Sequence, residues 1–179
     1  MTKFVVAADV HGSRHYCEKL MDVFHREKAD RLLLLGDLYY HGVRNNLPNG
    51  YEPKAVVVML NSLADKIIAV KGNCESRVDL SVSEFHFFDS AALFFEGKSI
   101  FLSHGDVFNK ENPPKGRFDA IFYGHTHKGE LYRENGVIYA NPGSISLPKG
   151  NSVNSYIVMD ERFIALKSID GEILSEIFF

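Results

Sequence analysis

The sequence predicts a mixed α/β fold with two packed sheets, and three observations carry that prediction. In the first half, short continuous apolar runs alternate with amphipathic stretches, the pattern of β-α-β units. In the second half, strand-length runs are joined by glycine-containing turns, the pattern of hairpins. No linker, internal repeat or low-complexity segment interrupts the 179 residues, so a single domain over 1–179 is expected.

Residues 4–8 form an apolar run of the kind buried on both faces of a sheet, broken by Gly12 and Ser13. From 15 to 28, Cys17, Leu20, Met21 and Phe24 recur at helical spacing. A second buried strand is expected at 31–35, and this β-α-β order implies a parallel pair with a right-handed crossover. Residues 39–53 read as a polar loop flanking a site, and Pro53 suits the first turn of a helix whose buried face is Val56, Met59, Leu60 and Leu63. A third strand at 67–70 ends at Gly72, followed by a short helical or irregular stretch.

Beyond it, strands are expected at 85–88, 91–95, 99–102, 120–123, 130–133, 137–140, 155–159, 163–168 and 173–177. The segments Glu96-Gly97-Lys98, Glu134-Asn135-Gly136 and Ile169-Asp170-Gly171 supply turns, and 107–117 reads as another polar loop.

A composition of 45% hydrophobic and 24% charged residues excludes disorder and fibrous classes. The net charge of −3 gives no broad footprint for nucleic acid or an anionic membrane. No apolar run is long enough to span a bilayer, and 4–8 is too short for a signal peptide. Cys17 and Cys74 form neither a disulfide framework nor a CxxC pair, which fits a reducing cytoplasm.

Five apolar runs end in a polar cluster beside a glycine: Asp9-Val10-His11-Gly12, Gly36-Asp37, Gly72-Asn73-Cys74-Glu75, Ser103-His104-Gly105-Asp106 and Gly124-His125-Thr126-His127. Open α/β sheets place ligands beyond the carboxyl ends of their strands, so these clusters can share one crevice. In extended backbone, residues i and i+2 point to one side, so Asp9 and His11 can grip one ion together; His125 and His127 can converge in the same way, or a turn there can aim them at two neighbouring ions. A lone Asp-x-His is a weak signal. Five clusters at five strand ends, all bearing metal-compatible groups, are a strong one. Asp9, His11, Asp37, Asn73, His104, His125 and His127 are too many ligands for one ion with an open position. They suit two ions sharing a carboxylate, roughly 3.5–4 Å apart, holding a hydroxide between them and polarising a phosphoryl group. Oxygen and imidazole donors without thiolate suit manganese, iron, zinc, cobalt or nickel.

The order Asp9-x-His11, Gly36-Asp37, Gly72-Asn73, His104 and Gly124-His125-x-His127 resembles the calcineurin-like metallophosphoesterases. The segments 36–42 and Asn141-Pro142-Gly143-Ser144 resemble the small bacterial YfcE-type phosphodiesterases within them. The resemblance runs from Asp9 to Ser144. It implies a four-layer α-β-β-α sandwich of two mixed sheets and a dinuclear centre, often manganese. Asp9, His11 and His127 would hold one ion, Asn73, His104 and His125 the other, with Asp37 between them.

One position departs from that pattern. Most of the superfamily has histidine after Gly-Asn, credited with aiding the leaving group, where this chain has Cys74. A thiol lacks the charge of imidazolium, which leaves Cys74 with either a weak catalytic part or a packing role. His41 is the alternative proton donor on sequence alone, or else an ordinary loop residue. Arg14 could contact a phosphate oxygen or the far side of a substrate, as could Arg44, Arg77, Lys115 and Arg117 from their loops, but the favoured reading of each is an ordinary solvated charge. The expected activity is metal-dependent hydrolysis of a small phosphodiester, with a phosphomonoesterase as the nearest alternative. A non-catalytic interaction module, like a retromer scaffold subunit of the same superfamily, is less favoured because all seven ligand positions are filled. No nucleic-acid or membrane partner is expected, and the apolar hairpins with Phe178-Phe179 leave room for homo-oligomers.

Overall fold

The computed structural model describes residues 2–179. Strand β1 (Phe4–Ala7), helix α1 (Arg14–Arg26) and strand β2 (Arg31–Leu34) form the first β-α-β unit, with β1 and β2 parallel. Helix α2 (Pro53–Asn61), strand β3 (Ile67–Val70), the short helix α3 (Arg77–Val82) and strand β4 (Phe87–Phe88) extend the parallel set. Of the strand expected at 85–88, only the last two residues pair.

The remaining strands are β5 (Ala91–Phe95), β6 (Lys98–Leu102), β7 (Ala120–Phe122), β8 (Gly129–Glu134), β9 (Val137–Pro142), β10 (Ser155–Met159), β11 (Phe163–Ser168) and β12 (Ile173–Phe178). The chain folds into two mixed sheets. One has seven strands in the order β12-β11-β10-β1-β2-β3-β4, the other five in the order β5-β6-β7-β9-β8. The last three strands return to the first sheet, β10 lying antiparallel to β1.

Period-two alternation explains why the apolar runs of β1, β2 and β10 are unbroken. Val5, Ala7, Leu32, Leu34, Tyr156 and Val158 face the core beneath α1 and α2. Their neighbours Phe4, Val6, Leu33, Ile157 and Met159 face the second sheet, meeting Ile100, Leu102, Phe122 and Ile138. Helix α1 starts at Ser13, whose side chain accepts from the Tyr16 N–H. It buries Cys17, Leu20, Val23 and Phe24. Near its other end, the Tyr156 hydroxyl donates to Glu27 (2.7 Å) and Lys167 Nζ lies 2.9 Å from the same carboxylate, tying α1 to β10 and β11.

The outer face of the five-stranded sheet is covered differently. Phe101, Ile121 and Tyr123 pack against Phe108 and Phe118 from the 103–119 connection, and among the described residues no helix follows α3. Parallel strands β1, β2 and β3 end at one rim of the sandwich, and β6 and β7 bring their carboxyl ends to the same place.

Candidate metal centre

Five of the seven expected ligands have left-handed backbone: Asp9 (φ 57°), His11 (φ 51°), Asp37 (φ 56°), His125 (φ 67°) and His127 (φ 60°). Such conformations cost non-glycine residues roughly 1–2 kcal/mol each and persist only where the surroundings enforce them. Asp9 and His11 therefore converge through a left-handed turn, not through the extended backbone that their spacing suggested. His125 and His127 also turn through positive φ, but toward different partners, His125 facing His104 and His127 facing His11.

The enforcing contacts are backbone bonds between neighbouring strand ends. The Asp9 N–H donates to Gly36 O (3.0 Å) and the His11 N–H to Asp37 O (2.9 Å). Ser144 and Ser146 hydroxyls both donate to Asp9 O, at 2.7 and 2.9 Å, and Asn141 Nδ2 donates to Gly124 O at 2.9 Å. The Asn-Pro-Gly-Ser segment thus holds the Asp9 and His125 turns. Gly72 must lack a side chain, because a Cβ there would lie 2.2 Å from Asp37 Oδ1. Gly36 (φ 89°) likewise approaches Gly72 and His104 too closely for a Cβ.

Glu75 is the buried brace of this region. Its carboxylate accepts from the N–H groups of Asp37 (2.9 Å), Leu38 (2.5 Å) and Gly72 (2.6 Å), joining the turns after β2 and β3. Burial and the charge of Asp37 push its pKa up to about 7, despite those three donors.

The imidazoles are oriented from behind. His11, His104 and His127 each place Nδ1 2.7 Å from a carbonyl, those of Tyr40, Leu35 and Leu147. A carbonyl only accepts, so Nδ1 carries the proton and the neutral ring turns a lone pair at Nε2 inward. The inward atoms crowd together. His11 Nε2 is 3.1 Å from His127 Nε2, and these lie 3.6 and 3.5 Å from Asp9 Oδ1, a buried oxygen with no hydrogen-bond partner. His104 Nε2 is 3.1 Å from Asn73 Oδ1 and 3.2 Å from His125 Nδ1. Asp37 Oδ2 lies 3.8 Å from His11 Nε2 and 3.5 Å from His104 Nε2, so one oxygen borders both groups.

Acceptor atoms facing acceptor atoms at these distances repel unless a cation lies among them. Donors bound at about 2.0–2.2 Å around one ion are separated by about 3–3.5 Å, close to the distances of 3.1 to 3.8 Å found. The side chains therefore fit divalent cations. The titration behaviour agrees. Burial pulls His104 down, but the neighbouring carboxylates Asp37 and Asp9 outweigh it and raise the imidazole to about 10. Burial opposes ionisation of Asp37 too, yet His104 and His11 hold it well below the usual carboxylate range. The carboxylates demand positive charge, and without ions only the imidazoles can supply it.

These atoms open into a cleft of about 580 Å³ lined on one side by Tyr40, Gly42, Arg44, Asn45 and Cys74 and including Thr126 and Lys149. Burial and Asp37 push the Cys74 thiol up to about 12, so it stands as a neutral group. His41 is not among the cleft-lining residues. Its ring stands edge-on to Tyr40 and Tyr51, at 4.6 and 5.2 Å between centroids, and its buried Nδ1 has no partner. Arg14 also points elsewhere, pairing with Glu18 and Glu52.

The sequence profile of the calcineurin-like phosphoesterase superfamily domain matches residues 2–162. The chain belongs to that superfamily. Phosphodiesterase YfcE of Escherichia coli K12 is 38% identical over 176 residues, covering 96% of this chain and 95% of that protein. The solved structure of YfcE, described as a phosphoesterase from E. coli, superposes with a TM-score of 0.95 at 36% identity, covering 98% of each chain. Vps29 of Chaetomium thermophilum shares the fold at a TM-score of 0.70 and 16% identity, covering 100% of this chain and 98% of that one. The superfamily works with divalent metals, and the groups Asp9-His11-His127 and Asp9-Asp37-His104 gather donor atoms within 4.8 Å of one another.

Of the residues now in view, Glu75, Lys149 and the ring of Tyr40 were not singled out by sequence. Glu75 was the one with a signal, an acid beside Asn73 in a buried cluster.

Proposed function

We propose that the chain is a metal-dependent phosphodiesterase acting on a small phosphoester. Asp9, His11 and His127 would hold one divalent ion and Asn73, His104 and His125 a second, with Asp37 shared; manganese is the expected metal. When bound, such a pair supplies Lewis acidity to the phosphoryl group and lowers the pKa of the attacking water. The observation that carries the proposal is the single Asp37 oxygen bordering two sets of inward-facing donor atoms.

The chain's own residues do the rest. The three carbonyls behind His11, His104 and His127 fix ring tautomer and direction before a ligand arrives, so little reorganisation remains at the reaction. Asn73, exposed beside His104, can turn its amide N–H₂ toward a phosphate oxygen. Cys74 carries no charge to offer an alkoxide. Among the described residues, no imidazole outside the proposed ligand set lines the cleft. Good leaving groups, which need no proton, are therefore favoured.

The diester preference is supported by the YfcE relatives, which are named phosphodiesterases. A cytoplasmic location is supported by the free thiols of Cys17 and Cys74, and no helix among the described residues is long and apolar enough to cross a membrane. Exposed Phe94 and Phe178 on sheet-edge strands support self-association.

The test is to load the protein with manganese and compare bis(p-nitrophenyl) phosphate with p-nitrophenyl phosphate. Faster turnover of the diester is expected. Hydrolysis of the monoester alone would make the chain a phosphomonoesterase, and no turnover of either would remove the catalytic reading.

A further inference from the structure

Resting on the phosphodiesterase reading, the geometry points to a narrower substrate class: a diester whose one arm carries a second anionic group, a carboxylate or a further phosphate, received by Arg44 and Lys149. Three observations converge on these two side chains. Both line the same cleft as Asp37, Asn73 and His125. Both are exposed, and among the described residues neither makes an ion pair or side-chain hydrogen bond. Asp37, already claimed as a proposed metal ligand, is the only carboxylate on the cleft wall. Two unneutralised cations therefore stand beside a site whose scissile phosphate has its own binding groups.

Both cations are carried on fixed backbone. Arg44 belongs to the turn in which the Asn45 N–H donates to Gly42 O (3.2 Å) and Asn45 Nδ2 to His41 O (2.8 Å). That turn packs on Cys74: a Cβ added at Gly42 would lie 3.2 Å from its sulfur. Lys149 follows the segment that orients His127, and its own N–H donates to His127 O at 3.0 Å. Each base is thus tethered directly beside the proposed centre, on flexible stems that let the charged heads reach outward. The cleft, at about 580 Å³, is larger than a bare phosphate needs and leaves room for an arm.

A diester with two uncharged arms gains nothing from these cations beyond long-range attraction to its single charge. One with an anionic arm gains a direct charge-assisted contact. Because both bases are exposed, the gain is screened by salt, the Debye length falling from about 8 Å at 0.15 M to about 3 Å at 1 M.

The experiment keeps one leaving group and varies the other arm. Manganese-loaded protein is given phenyl, 4-carboxyphenyl and 4-phosphonophenyl p-nitrophenyl phosphates, and kcat/KM is read from p-nitrophenolate release. At least one anionic-arm diester should exceed the phenyl diester by about tenfold, equivalent to about 1.4 kcal/mol. The larger of the two advantages names the anion. The advantage should shrink at 1 M salt and approach one in the double variant Arg44→Gln, Lys149→Gln.

Binding supplies a readout without turnover. Dibenzylphosphinate and its 4-carboxybenzyl and 4-phosphonobenzyl counterparts, in which both ester oxygens are replaced by carbon, should show the same ratio in dissociation constant by calorimetry. If all three diesters turn over equally, or the advantage survives in the double variant, the inference falls while the phosphodiesterase reading stands. If none is hydrolysed and none of the phosphinates binds, both fall together.

Discussion

Removing the Glu75 carboxylate tests how the shared ligand is held. In Glu75→Ala, three buried N–H groups, those of Asp37, Leu38 and Gly72, lose their acceptor at once. An orphaned buried donor costs about 1–3 kcal/mol. With water entering the space, the sum is about 3–6 kcal/mol, against a total stability of about 5–15 kcal/mol for such a protein. Glu75→Gln is milder. Its carbonyl can serve Asp37 and Gly72, which share Oε2, while its NH₂ meets the Leu38 N–H donor to donor. One bond to a charged acceptor is lost, about 1.5–3 kcal/mol.

Urea unfolding at pH 8, above the raised pKa of Glu75, reads both variants in the presence of chelator. A second arm titrates manganese into the folded Gln variant. Because Asp37 is positioned through its own N–H, affinity should fall by about 10–100-fold. An alanine variant within 1 kcal/mol of the parent, or a glutamine variant with unchanged metal affinity, would refute the bracing argument.

Other outcomes follow from the same contacts. Gly72→Ala puts a Cβ 2.2 Å from Asp37 Oδ1, so metal titration should show the shared site lost or weakened by at least tenfold. Burial opposes ionisation of Glu27, but Lys167 and the Tyr156 hydroxyl outweigh it and hold its pKa below the ordinary carboxylate value. A depressed carboxylate stabilises the fold above its unfolded pKa and loses that contribution as pH falls through the folded value. Glu27→Gln should therefore cost about 1–3 kcal/mol in urea at pH 7 and progressively less as the pH approaches 3. Across aryl phosphodiesters of rising leaving-group pKa, kcat/KM should fall steeply, and less steeply in Cys74→His. A slope equally flat in both would show that a proton is already being delivered. The histidine must push back the turn at Gly42, so a fold check by circular dichroism accompanies it.

Much of this was legible in the residues. The runs at 4–8, 31–35 and 155–159 are continuous because their alternate side chains enter two different cores, and that continuity is what marks them as strands. The gathering of the candidate ligands at one rim was legible because each lies just past such a run. What sequence spacing could not convey was backbone handedness. Asp9-x-His11 looks like an extended pair, and it converges instead through positive φ imposed by bonds to the neighbouring strand end. The cover of the five-stranded sheet was hidden too, since Phe108 and Phe118 flank a segment whose prolines and charges read as an exposed loop. His41 was open to two readings in sequence, and the fold sets its ring edge-on against Tyr40 and Tyr51. Lys149 lies just past the Asn141-Pro142-Gly143-Ser144 motif without belonging to it, and a backbone bond to His127 ties it beside the cleft.

The most direct measurement is electron paramagnetic resonance of the protein titrated with manganese. Two ions per chain are predicted, with an exchange-coupled spectrum that reverts to uncoupled signals in Asp37→Asn. One ion per chain at saturation, or two that never couple, would contradict the shared-carboxylate centre.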